Sequence, residues 1–254
     1  MRNLAKLVGI IAMVAVIGFS MVACEQYDDE KDFRITPLDN DRSAEITEYI
    51  GTKQTVRIPP RIQKLPVTTI GGKAFRDKNL TGITIPKSVT AIETGAFLGN
   101  PLTDISVASG NTAFSSKNFF LQSKDGKELF FYYGNEKDVS IPNGVTTISD
   151  HAFSGKQLTN VTIPDSVTSI GYQAFLDNQL TGVTIPDNVT SIGGNAFYRN
   201  QLTSIIIGAN VDFDLYRTSL DGGWYINFCR FYDNNGKQAG TYVRPIDSTT
   251  WAEQ

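Results

Sequence analysis

Leu180-Thr-Gly-Val-Thr-Ile-Pro-Asp-Asn-Val-Thr-Ser-Ile-Gly-Gly-Asn-Ala-Phe-Tyr-Arg-Asn-Gln201 decides the fold, because the 22 residues in front of it repeat its pattern. Residues 158–179 keep Leu158, Val161, Ile163, Pro164, Val167, Ile170, Ala174 and Phe175 at the matching places. The Ile-Pro pair recurs at Ile141, Ile163 and Ile185, always 22 residues apart, and Ile207 continues the register with Gly208 in place of proline. The Ala-Phe pair recurs at Phe153, Phe175 and Phe197, and earlier at Phe75 and Phe97. Self-similarity at such a period signals a solenoid, in which each unit buries its apolar face only against its neighbours.

Within a unit the letters divide into a strand and a return path. Over 158–163, alternation sends Val161 and Ile163 inward and Thr162 outward. Proline then ends the strand, since it has no N–H for a ladder between coils. Val167, Ile170 and Phe175 return in columns, one side chain per coil, and each such burial contributes roughly 1.5–3 kcal/mol. Residues 33–56 depart from the repeat and read as an amino-terminal cap that hides the first open edge. A divergent opening coil follows at 58–70, with five extra residues before the common Thr69-Ile70-Gly71.

Leu180-x-x-Val183-x-Ile185-x-x-Asn188 fits the leucine-rich-repeat frame. The Ile-Pro-x-x-Val-Thr-x-Ile-x-x-x-Ala-Phe continuation resembles the bacterial leucine-rich repeats of the BspA type, over about residues 56–207. The resemblance implies a β-rich solenoid of 22-residue coils with a parallel sheet on one face. It also implies a surface-exposed binding protein, with host extracellular-matrix proteins or neighbouring bacterial cells as partners. The frame's asparagine position holds Ser88, Gly144 and Ser166 in other coils, so a continuous asparagine ladder is not expected and coil curvature stays open.

At the amino terminus, Arg2 and Lys6 precede an apolar run over 7–23 that ends at Cys24, the layout of an export signal. Met21-Val22-Ala23-Cys24 resembles the lipobox of bacterial lipoproteins, whose cysteine receives a diacylglycerol, although methionine stands where leucine is usual. A lipid on Cys24 would hold the exported protein to a membrane, at the outer membrane or cell surface. An uncleaved anchor is the alternative, because about 18 apolar residues can span a bilayer; cleavage without lipid is the third. The acidic stretch after Cys24 cannot pack and reads as a tether.

Two segments interrupt the repeat. Residues 102–107 make a good strand, yet the next Ile-Pro arrives only at Ile141. Between them, Phe119-Phe120 and Phe130-Phe131-Tyr132-Tyr133 flank Asp125-Gly126, a dipeptide suited to the positive φ angles of a tight turn. The aromatics of this hairpin either pack on neighbouring coils or form a flap that touches a ligand. Past Ile207 the repeat dissolves. Residues 223–232 alternate like a strand and 239–244 read as its partner, a hairpin cap with Trp224 and Phe228 over the last coil and Cys229 as a structural strand residue. The expected organisation is a signal peptide (1–23), a tether (24–32), an amino-terminal cap (33–57), a solenoid (58–207, with the hairpin insertion at 108–136) and a carboxy-terminal β cap (208–254).

The formal net charge is -3 and no basic stripe stands out, which argues against nucleic acid. With one of the two cysteines assigned to lipid, no disulfide framework is expected. Phosphate loops, nucleophile elbows and clustered metal ligands are missing from the sequence, so no enzymatic activity, cofactor or metal is expected. His151, the one histidine, fills a slot taken by Lys73, Gly95, Gln173 and Asn195 in other coils, which reads as an exposed variable position. Asp165 and Asp187 occupy equivalent places where Lys87 and Asn143 also stand, a solvated turn.

The outward strand positions are the candidate site. Thr84, Ser140, Thr162, Thr184 and Ile206 should form one row, flanked by Gly82, Val139, Asn160, Gly182 and Ser204. The strip is flat, small and nearly uncharged. Threonine's β-propensity alone accounts for it on one view. On the other, Gly82, Thr84, Asn160, Thr162, Gly182, Thr184 and Ser204 form a docking surface for an extended protein or glycan. A structural envelope role and a carbohydrate-binding accessory module are the competing functions.

Overall fold

The computed structural model describes residues 26–214 and 224–254; Cys24 and the segment expected to be an export signal lie outside the described residues. About eight turns wind into a β-solenoid. Each regular coil contributes its expected strand, and neighbouring coils pair in parallel at all but one step within the blocks, as Val139 does with Val161 and Val183 with Ile205. The return path supplies a second, shorter ladder, in which Ile148, Ile170 and Ile192 stand opposite one another in successive coils. Threonine holds both lines. Thr103 and Thr203 donate their hydroxyls to the carbonyls of Thr81 and Thr181, and Thr168 and Thr190 do so to Thr146 and Thr168, each one coil back.

The core is two columns rather than one. Phe153, Phe175 and Phe197 stack with centroids 5.0 and 5.1 Å apart, and Tyr132 heads this column. A second column runs Phe33, Tyr49, Phe75, Phe97. The two begin alike. Phe33 faces Tyr49 across one antiparallel hairpin and Phe120 faces Tyr132 across another. Each tyrosine is followed two residues on by a glycine, Gly51 or Gly134, where any Cβ would overlap the tyrosine hydroxyl. That hydroxyl bonds the backbone carbonyl of Lys53 or Glu136. The 119–133 hairpin is therefore the start of a second block, built on the same plan as the amino-terminal cap. Its Glu128–Tyr132 strand pairs in parallel with Thr147–Ile148, so it is part of the core and not an appendage.

An asparagine ladder exists, in a different column from the one the sequence frame suggests. Asn100, Asn178 and Asn200 follow the Ala-Phe pairs by three residues. Each donates to the carbonyl of the phenylalanine in its own coil and to that of the coil before, as Asn178 does to Phe175 and Phe153. Lysine replaces asparagine in the first phenylalanine coil of each block, at Lys78 and Lys156.

The carboxy-terminal cap differs from the expected hairpin. Residues Trp224–Asn234 form an α-helix, not a strand. Tyr225, Phe228, Cys229 and Tyr232 are buried at i, i+3, i+4 and i+7, the helical stripe, and this outweighs the weaker alternation. Phe228 lies against Phe213, Tyr242 and Trp251, and Tyr232 donates its hydroxyl to the Gly208 carbonyl at 2.6 Å. Cys229 sits on this helix, its thiol pushed up by burial. The Gly240–Val243 strand is real, but its antiparallel partners are Ser204–Ile207 and Ala252–Glu253.

Candidate functional site

The row predicted from the sequence divides at the joint between blocks. Gly82 and Thr84 belong to the first block's sheet, with Thr55–Arg57 and Asp104–Val107. Gly82 is buried there, and a Cβ on it would meet the Thr55 side chain at 3.2 Å. Asn160, Thr162, Gly182, Thr184 and Ser204 come together in the second block. The register sets Asp138, not Val139, beside Asn160; Val139 points into the core. Counting by twos from the outward Ser140 would have found it.

Between Asn160–Thr162 and Gly182–Ile185 the ladder opens. Strands on either side pair normally, yet no backbone hydrogen bonds among the described residues join these two. A recess of about 490 Å³ lies along the opening, lined by Thr159, Asn160, Thr162, Thr181, Thr184 and Ile206 among others. Its lining carries no charged side chain. Asn160 is oriented by its amide, which donates to Asp138 Oδ1 at 2.9 Å. Ile206 is an exposed apolar side chain on the rim, at 46%. The arrangement can offer hydroxyls, one amide and two strand edges to a neutral extended ligand. It holds no titratable group that could act as acid or base.

The hairpin aromatics are mostly spent on packing. Phe120, Phe131, Tyr132 and Tyr133 are buried and Phe130 is half-buried. Phe119 is 53% exposed, at the tip of the turn that joins Phe114–Lys117 to Phe120–Ser123, with its ring edge on Tyr133. Its φ of 65° lies in the left-handed region, which a bulky residue rarely adopts. His151 shares a left-handed backbone with Gly95, Gln173 and Asn195, though not with Lys73 of the opening coil. It is half-buried, edge-on to Tyr172. Asp165 and Asp187 are exposed, as a solvated turn requires.

The family model described as BspA type leucine rich repeat region matches residues 60–127 and 124–214, in six copies. The chain belongs to the BspA-type leucine-rich-repeat family. Among solved structures, this BspA-type chain is similar to a leucine rich cell surface protein from Faecalibacterium prausnitzii, at 29% identity and a TM-score of 0.47, over 74% of this chain and 55% of that one. It is also similar to the pneumococcal vaccine antigen PcpA, at 20% identity and a TM-score of 0.54, over 69% of this chain and 58% of that one. A leucine rich repeat protein of T. pallidum shares 23% identity at a TM-score of 0.39, over 77% of this chain and 92% of that one. The BspA-type chain thus spans little more than half the length of the first two, and the likeness to PcpA is one of fold. No curated protein matches it. No helix among the described residues is long and apolar enough to cross a membrane.

Proposed function

We propose that this BspA-type protein is an exported, lipid-anchored, non-enzymatic binding protein of adhesin type, which takes an extended protein or glycan along the recess in its second block. The observation that carries the reading is the open ladder beside Asn160–Thr162. Two strand edges with free hydrogen-bonding groups meet there on an uncharged surface, where a ligand can find donors and acceptors without displacing an ion pair. Membership of the BspA-type leucine-rich-repeat family suits a binding role.

The test is binding of soluble residues 25–254 to immobilised matrix proteins, glycans and whole cells. A double variant, Thr162→Lys with Thr184→Lys, alters the recess, and Thr84→Lys alters the other block as a control. Saturable binding should be lost in the double variant and kept in the control. Binding that survives both moves the site to Phe119, whose exposed ring in a strained backbone favours that second reading. Binding to nothing overturns the adhesin reading and leaves the structural envelope role. The anchor has its own test: Cys24→Ser should accumulate unprocessed precursor, and normal processing would refute lipidation.

A further inference from the structure

The two blocks meet at an incomplete joint. The Ala91–Ile92 strand pairs with Leu65–Ile70, and no other strand among the described residues pairs with it. The place of the next return strand is taken by the second block's opening hairpin, which approaches at a different angle: Phe97 meets Phe131 edge-on, where Phe153, Phe175 and Phe197 stack face to face. The misfit leaves a cavity of about 280 Å³ between the blocks. Pockets form preferentially at such junctions between packed units, and this one is too small for a drug-sized ligand.

Its lining has two parts. The floor is apolar, from Ile92 and Leu98 of the first block, from Leu121, Phe130 and Phe131 on the face of the hairpin that packs into the first core, and from Ile148 of the second. The wall carries three carboxylates, Glu93, Glu128 and Asp150, together with His151. Glu93 Oε2 accepts the Gly72 N–H at 2.9 Å, Glu128 Oε1 the Ser149 hydroxyl at 2.8 Å and Asp150 Oδ1 the Tyr172 N–H at 2.7 Å, which orients all three carboxylates. Glu93 and Glu128 enter no ion pair with a described residue. An adjoining recess shares Glu93 and adds Glu45, whose carboxyl is held above its usual range by burial and then by the charge of Glu93; Lys73, Arg76 and His151 line that recess too, so the acidic wall belongs to the cavity itself. Pre-oriented negative charge over an aliphatic and aromatic floor suits a long side chain with a cationic head. The stem lies on the floor and the head meets the carboxylates, with the half-buried Phe130 ring beside it.

We propose that this cavity is a second binding site, distinct from the sheet-face recess, which receives one lysine or arginine side chain from an exposed segment of a partner protein. The cavity holds a single side chain, so the partner is read by one anchoring residue and not by a long stretch.

The experiment uses residues 25–254, isotope-labelled, titrated with Gly-Gly-Lys-Gly-Gly, Gly-Gly-Arg-Gly-Gly and Gly-Gly-Glu-Gly-Gly peptides. Amide shifts should saturate at Thr94, Ser149 and Gly171 with the basic peptides and be absent with the acidic one, while Gly182 and Thr184 stay unmoved. Glu93→Gln with Glu128→Gln should weaken binding by about tenfold or more. A second variant, Thr94→Arg, places a tethered guanidinium at the exposed rim; it should abolish the shifts and raise Tm. Equal shifts with the acidic peptide, unchanged affinity in the Gln variant, or no shifts at all overturn the site. Saturation by free cadaverine without any response to the peptides overturns the assignment to a protein partner. The Thr162→Lys and Thr184→Lys variant should bind the basic peptides normally, so failure of the sheet-face reading and failure of this one are separable.

Discussion

Asn178 donates one side-chain amide to the carbonyls of Phe153, Phe175 and Leu176 and accepts the N–H groups of Lys156 and Leu158. Alanine there would orphan buried backbone groups in two coils, and Asn178→Ala should cost roughly 2–3 kcal/mol, read from the denaturant midpoint. The column was visible in the sequence as Ala-Phe-x-x-Asn, but Lys78 and Lys156 break it and hide its regularity. Those lysines differ in their company. Lys78 pairs with Glu48 at 3.0 Å, whereas the Lys156 ammonium lies 4.4 Å from the Phe131 ring centre. Burial pushes the Lys156 pKa down from 10.5 to about 8. Between those values the unfolded chain holds a proton that the folded chain lacks, so this group makes stability rise with pH from about 8 to 10.5. Lys156→Met should remove that rise, as the difference between two stability–pH profiles shows. At Phe119 the strain is backbone, and Phe119→Gly should stabilise the fold by about 1 kcal/mol, with a higher midpoint in denaturant. A drop would mean that the ring's contact with Tyr133 outweighs the turn.

The coils were legible as elements because Ile-Pro and Ala-Phe recur every 22 residues and each residue type has one physical task. The hairpin turn was legible too, from Asp125-Gly126, and Gly126 adopts a φ of 74° there. Its membership of the core was not. That depends on Tyr132 taking the place of a phenylalanine, which no fixed spacing announces. Excision of residues 111–134 should therefore collapse the second block, seen as loss of the β signal in circular dichroism; an intact fold would mean that Tyr132 is dispensable. The carboxy-terminal helix escaped because residues 225–232 satisfy period 2 and period 3.6 about equally over so short a span. Tertiary burial of Tyr225, Phe228 and Tyr232 decided between them. Of the candidate site, the outward strand positions of the second block were legible; the separation of Gly82 and Thr84 from them and the opening were not. Asn160, Thr162, Gly182 and Thr184 look like any other outward positions, and their letters do not encode a missing ladder.

At the scale of the molecule, two hydrophobic cores lie side by side along one solenoid, the first built around Tyr49 and Phe75 and the second around Tyr132 and Phe175. In a stack of this kind, stability is nearly a sum over units and their interfaces. A copy of residues 180–201 inserted after Gln201 should fold in register and raise Tm, since each coil offers the next the same carbonyls; loss of cooperative melting would contradict the stacking. The lysines at the head of each block say which coils can be copied. An asparagine coil needs a phenylalanine carbonyl behind it and supplies one to the coil ahead, so it behaves as a monomer that adds to its own kind. A tyrosine coil with its hairpin needs no such acceptor behind it, and so behaves as an initiator. The chain then reads as a polymer initiated twice, and its length can grow by single monomers within a block or by a whole new chain start at the joint.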